Sequence, residues 1–255
     1  MELLALCLLS AIAGFIDSVV GGGGLIQLPG LFLILPANLS GSVATVFGTN
    51  KMSSICGTTT AAVQYSRKVQ IPWKTVLPAA LVAFLFSFLG ARIVSILKPA
   101  VLRPLVFVLL VITALITYAR KDFGSIHAPR LTHGTQVLAA MAAGAVIGFY
   151  DGFFGPGTGT FLIFIFIGIF GFDFLTASAS AKVVNAATNL AAVSYFASTD
   201  QIWYRYAVPM GISNIAGALI GSRLAVLKGN RFVRLFFLMI VGALILRLGY
   251  DLIRK

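Results

Sequence analysis

Acidic side chains are scarce in this sequence: seven Asp and Glu stand against nineteen Lys and Arg, and charges of both signs make up only 10% of the chain. So few charges cannot solvate the surface of an ordinary soluble domain. Cysteine is nearly missing as well. Cys7 and Cys56 both fall in apolar stretches without metal-ligand spacing, so neither a disulfide framework nor a cysteine metal site is expected. The two histidines, His127 and His133, share one polar stretch, which leaves the apolar segments without an imidazole base. With no His, Cys and Glu cluster and no buried Ser or carboxylate dyad beside a base, neither a metal site nor an enzyme is expected, and no cofactor.

What fills the chain instead is apolar: 59% of the 255 residues are hydrophobic and the mean hydropathy is +0.99. The sequence reads as an all-α polytopic membrane protein. The net charge of +12 lies mostly between apolar segments, where it orients the spans and meets anionic lipid, with a smaller share left for attracting an anionic solute. Nucleic acid is not an expected partner; the lipid bilayer is.

One stretch is written twice. Gly14-Phe15-Ile16-Asp17, followed by Gly21-Gly22-Gly23-Gly24, returns as Gly148-Phe149-Tyr150-Asp151, followed by Gly155-Pro156-Gly157-Thr158-Gly159. In each copy an apolar helix carries a carboxylate near its end and then meets residues that break helices. A short apolar segment follows, Leu25 to Leu35 or Phe161 to Phe170, too short to cross upright. Further pairs extend the repeat: Thr45 and Lys51 with Thr176 and Lys182, Pro78 with Pro209, Gly90 and Arg92 with Gly221 and Arg223, Arg103 with Arg234, Trp73 with Trp203. The expected architecture is two homologous repeats, each of four full spans plus a short broken or re-entrant segment, with residues 1–119 as the first repeat, 120–134 as a polar linker and 135–255 as the second. In chain order the expected helices are Leu3 to Val20, Leu25 to Leu35, Gly41 to Tyr65, Trp73 to Leu97, Val101 to Tyr118, Thr135 to Phe154, Phe161 to Phe170, Thr176 to Ala197, Tyr204 to Leu227 and Phe232 to Tyr250. The distribution of Lys and Arg fits parallel and inverted repeats equally; broken helices facing one another across a midplane favour inversion.

The chemistry rests on charges that reach water only with difficulty. Lys51 and Lys182 fall within long helices, where a basic side chain costs about 2.5–3.5 kcal/mol on an insertion scale and needs a partner. Asp17 and Asp151 are the expected partners, as ion pairs that lock the halves or as carriers of coupling protons. The ends of the short segments would offer unpaired N–H groups to an oxyanion at Gly21, Gly22, Gly23, Gly24, Gly155, Gly157 and Thr158. Asn50, Ser53 and Ser54 on one lysine helix, with Asn185, Thr188 and Asn189 on the other, add neutral hydrogen-bonding groups.

Taken together, Gly14 through Gly24, Gly48-Thr49-Asn50-Lys51, Gly148 through Pro156 and Ala181-Lys182-Val183-Val184-Asn185 resemble the sulfite exporter TauE/SafE family, most closely its YfcA-like branch, over essentially the whole chain. The resemblance implies a bacterial inner-membrane, multi-pass permease built by internal duplication and serving small anions such as sulfite and organosulfonates, with the solute of the YfcA-like branch undefined. Thr158 departs from the pattern, standing where the first copy has Gly24, so the half-sites need not be equivalent. The expected function is alternating-access transport of a small anion, a sulfur oxyanion or organosulfonate. The alternatives are a non-transporting membrane scaffold and a permease for an unrelated organic acid. Homo-oligomerisation is left open.

Overall fold

The computed structural model describes residues 1–35, 42–96 and 133–253, and among these it contains eight helices and no strand. They are α1 (Glu2–Val20), α2 (Gly24–Ile34), α3 (Val43–Ser66), α4 (Trp73–Ile96), α5 (His133–Phe153), α6 (Thr158–Gly168), α7 (Phe174–Ser198) and α8 (Tyr204–Ile253). Among the described residues four helical stretches are long and apolar enough to cross a bilayer: Glu2–Val20, Trp73–Ile96, Gly134–Phe153 and Tyr204–Gly229. At a rise of about 1.5 Å per residue, the 19 residues of α1 nearly match the ~30 Å hydrocarbon core. The 11-residue helices α2 and α6 reach only about halfway across the same core.

The expected boundaries hold to within a few residues. Two differ for local reasons. The second short helix begins at Thr158 instead of Phe161, because Gly157 takes a left-handed φ of 83° and opens the helix three residues early. His133 begins α5 instead of lying in the linker. Within α8, Gly229 (φ 67°, ψ −164°) marks the expected break before the last segment. The expected Val101 to Tyr118 span, nearly all of the linker, His127 and the Pro36 and Lys98-Pro99 turns lie outside the described residues.

Packing follows polarity. α4, α5 and α8 turn leucines outward, among them Leu81, Leu85, Leu138 and Leu227, as a lipid-facing surface requires. The less apolar α3 and α7 are packed against each other in the centre. Around them α1 packs on α8 and α4 on α5, while α3 also packs on α8 and α4 on α7. Glycines set the closeness of these crossings. A Cβ on Gly221 would stand 2.6 Å from the Phe15 carbonyl oxygen, and one on Gly90 would run into the Phe149 carbonyl oxygen.

The two central helices start alike. Ser42 accepts from Thr45 N at 3.4 Å, and Asp173 accepts from Thr176 N at 2.9 Å and from Thr176 Oγ1 at 3.0 Å. The short helices are fastened differently. Gln27 of α2 accepts from Asn214 Nδ2 at 3.0 Å, Asn214 also donates to the Ser10 carbonyl at 3.1 Å, and Ser10 Oγ lies 2.9 Å from Ser53 Oγ. The positions that correspond to Ser10, Gln27, Ser53 and Asn214 in the other half are Gly144, Phe161, Val184 and Ala83, which are apolar. There the ring of Phe161 packs at 5.4 Å from that of Tyr150.

The caps yield an expected ordering. Asp173→Ala should lower stability by about 1 kcal/mol, and Ser42→Ala, whose bond is longer, by less. Thermal unfolding midpoints of the two variants in detergent measure both.

Candidate functional site

The site is built where the two breaks meet. α1 ends at Val20 because Gly21 turns into the left-handed region (φ 80°), and its N–H donates back to the Asp17 carbonyl at 2.8 Å. α5 ends at Phe153, and two residues on Gly155 takes the left-handed region (φ 93°), its N–H donating to the Tyr150 carbonyl at 3.2 Å. Left-handed backbone of this kind is cheap for glycine and costs other residues roughly 1–2 kcal/mol. The breaks lie against each other: a Cβ on Gly159 would stand 2.5 Å from Gly21 Cα, and one on Gly24 would stand 3.3 Å from Pro156 Cα.

Backbone opened at membrane depth must find partners within the protein. The last turn of α1 finds three. Tyr65 Oη donates to the Ser18 carbonyl at 2.9 Å, Ser178 Oγ to the Val19 carbonyl at 3.4 Å and Thr160 Oγ1 to the Val20 carbonyl at 3.1 Å. Beyond α5, Tyr150 Oη donates to the Pro156 carbonyl at 2.6 Å and Thr158 Oγ1 to the Gly155 carbonyl at 2.7 Å. No side chain caps the N-terminus of α2 or α6. Their positive ends therefore stay directed toward the breaks.

The lysines enter from the sides. Each stands eight residues beyond the first residue of its helix, Val43 or Phe174, roughly 12 Å along the axis. Each pairs with the aspartate of the opposite half: Lys51 Nζ lies 2.6 Å from Asp151 Oδ2, and Lys182 Nζ donates to Asp17 Oδ2 at 2.8 Å. The sequence named these four residues but did not say which aspartate each lysine takes. Asp17 Oδ2 also accepts from Thr58 Oγ1 at 3.2 Å. Asp151 Oδ2 is held by charge at ion-pair distance without hydrogen-bond geometry, and Asn50 Oδ1 is buried with no hydrogen-bond partner at all.

Between these groups lies a small polar cavity, about 20 Å³ counted as room for the centre of a water-sized sphere. That exceeds the ~10–15 Å³ one water needs, so an anion larger than water enters only if the walls part or a carboxylate gives way. Lys51, Asn50, Asp17, Asp151, Asn185, Asn189, Gly21, Gly24, Gly155 and Gly157 line it, as do Ser54, Thr58 and Gly159. Lys51 leans on the break itself, since a Cβ on Gly155 would stand 2.8 Å from its Nζ.

Six of the expected residues lie elsewhere, among them Ser53, which meets Ser10, and Thr188, which donates to the Asn185 carbonyl. Lys182 is 0% exposed behind Asp17 and forms no part of the wall. Gly23 packs back on α1, where a Cβ would stand 2.7 Å from Asp17 Cβ, while Gly22 and Thr158 are turned away from the cavity. Thr58 and Gly159 were missed by sequence reasoning. A signal for Thr58 was present, because Lys51, Ser54 and Thr58 repeat the spacing of Lys182, Asn185 and Asn189, three and seven residues apart on one helix face.

A helical chain with four membrane-crossing stretches, enclosing a polar, charged cavity at the meeting point of two broken segments, has the attributes of a membrane transporter. The chain matches the family model described as Sulfite exporter TauE/SafE over residues 6–248, and it belongs to that family. It is 33% identical over 251 residues to the probable membrane transporter protein ORF9 of Sinorhizobium sp, covering 98% of this chain and 94% of that one. It is 30% identical over 240 residues to the probable membrane transporter protein YfcA of Escherichia coli (strain K12), covering 94% and 87%. A probable membrane transporter protein of Haemophilus influenzae is 29% identical over 242 residues, covering 94% and 91%. No solved structure gives a significant match.

The crossed pairing makes a specific expectation. Lys51→Met strands a buried carboxylate and should cost roughly 3–5 kcal/mol. Adding Asp151→Asn to the same chain should restore most of that loss, whereas adding Asp17→Asn should deepen it. Denaturation midpoints of the single and double variants decide between these pairings.

Proposed function

We propose that the protein is a secondary transporter of a small anion, a sulfur oxyanion or organosulfonate, working by alternating access in the bacterial inner membrane. The observation that carries this reading is the cavity itself: it joins a buried ammonium, two broken helix ends and a ring of neutral hydrogen-bonding groups. Lys51 neutralises the solute in competition with Asp151, and the glycine-lined breaks supply backbone N–H groups. Lys182, hidden behind Asp17, fastens the halves and sets the charge balance from outside the wall.

The same reading includes two duplicated halves related by a pseudo-two-fold axis and inverted in the membrane. Support comes from paired features: α1 on α8 matches α4 on α5, Gly221 against Phe15 matches Gly90 against Phe149, and Ser42 with Thr45 matches Asp173 with Thr176. Halves arranged in this way can rock about the shared centre while the site stays between them.

A non-transporting scaffold would use the same charges only as fasteners. The two roles separate in reconstituted liposomes supplied with sulfite or an organosulfonate such as methanesulfonate. Transport predicts saturable uptake by the parent protein and a loss of at least ~10-fold in Lys51→Met with Asp151→Asn, a neutral pair that keeps the fold while removing the cation. Uptake equal to that of empty liposomes for every anion would favour the scaffold.

A further inference from the structure

The wall beside Lys51 holds a buried acceptor that no donor meets. Asn50 is 5% exposed, lines the cavity and keeps its Oδ1 without a hydrogen bond. Asp151 Oδ2, also on the cavity, is met by the Lys51 ammonium at 2.6 Å, so the unpaired acceptor is that of Asn50. Leaving a buried acceptor unpaired costs about 1–3 kcal/mol, so such an atom at a binding site is evidence of what the ligand brings. The opposite side is not built this way. There Asp17 already takes hydrogen bonds from both Lys182 and Thr58, and the residue preceding Lys182 is the buried Ala181 where Asn50 precedes Lys51.

Charge points in the same direction. The ionisable groups facing the cavity or paired with those that do are Lys51 and Lys182 from α3 and α7, and Asp17 and Asp151 from α1 and α5, and they sum to zero. The cavity wall contributed by α2 and α6 carries no titratable side chain. In a neutral, water-poor enclosure the cost of an added ion rises steeply with its charge, so a monoanion enters far more readily than a dianion.

We propose that the site takes its solute as a monoprotonated oxyanion, whose hydroxyl donates to Asn50 Oδ1 while its other oxygens accept from Lys51 and the backbone at the break. This deepens the anion-transport reading and rests on it. It makes Asn50 a specificity-determining residue: an anion of equal charge without an O–H leaves the carboxamide oxygen unpaired.

The test compares sulfite, whose hydrogen form can carry its proton on oxygen as a hydroxyl, with methanesulfonate, a monoanion that has a methyl group on sulfur and no O–H. Initial uptake into liposomes containing the full chain is measured with equal pH on both sides, at steps between about pH 5 and about pH 8, a range in which histidine is the only side chain that titrates at its ordinary pKa. Sulfite uptake should rise as the pH falls and the hydrogen form accumulates, exceeding methanesulfonate uptake by ~10-fold, the equivalent of one missing hydrogen bond. Methanesulfonate uptake should stay flat. Asn50→Ala should bring the ratio of the two uptakes close to one and abolish the excess at low pH. Equal uptake of the two anions by the parent protein, or sulfite uptake that grows with pH, would overturn the proposal while leaving anion transport standing. Absence of uptake for both would overturn the transport reading and the proposal with it.

Discussion

Two ammonium groups buried in a membrane protein constrain everything around them. Each must meet a carboxylate before it is tolerable in so poor a solvent, and here each carboxylate comes from the opposite half of the chain. The crossing explains why α1 and α5 end where they do. A continuous helix would carry Asp17 or Asp151 past the lysine inside a closed ladder of backbone bonds, with no room for a solute. Breaking the helix four residues later exposes backbone beside the pair, and glycine at Gly21 and Gly155 permits the turn. Charge, break and cavity are thus one feature.

Much of this was legible from residue order. A lysine inside a long apolar context, a carboxylate just before a run of glycines and the recurrence of both are signals that composition cannot produce by accident, and they placed nearly all of the cavity wall. The helix limits followed from the apolar runs and the Gly and Pro breaks to within a few residues. What stayed hidden was pairing. Sequence spacing says that Lys51 needs an acid and that two are present; only the folded chain, with Lys51 Nζ 2.6 Å from Asp151 and Lys182 Nζ 2.8 Å from Asp17, decides between them. The same limit applies to the glycines. Gly21, Gly22, Gly23 and Gly24 look interchangeable on the page, yet Gly21 and Gly24 line the cavity while Gly23 packs on α1. Gln27 and Asn214 were visible as polar residues in apolar segments, but their bond joins helices far apart in the chain.

The matched positions are not filled equally, and the differences are concentrated where function would use them. Asn50 faces Ala181, Ser54 faces Asn185 and Thr58 faces Asn189 across corresponding positions of α3 and α7. One short helix is held by a carboxamide bond and the other by an aromatic pair. Hydrogen bonds break over a narrow range of separation, whereas ring contacts slide, so α2 and α6 have different freedom to move. The two sides of the cavity are therefore unlike.

The hydroxyls that close the end of α1 belong to residues synthesised much later. Tyr65 is available early, but Thr160 and Ser178 lie in α6 and α7. While the nascent chain is still shorter than that, the carbonyls of Val19 and Val20 have entered the bilayer without their final donors, a state worth several kcal/mol per group. The first broken helix therefore cannot settle into its finished shape at the translocon. The carbonyls of Val19 and Val20 gain their final donors only once α6 and α7 are packed beside α1.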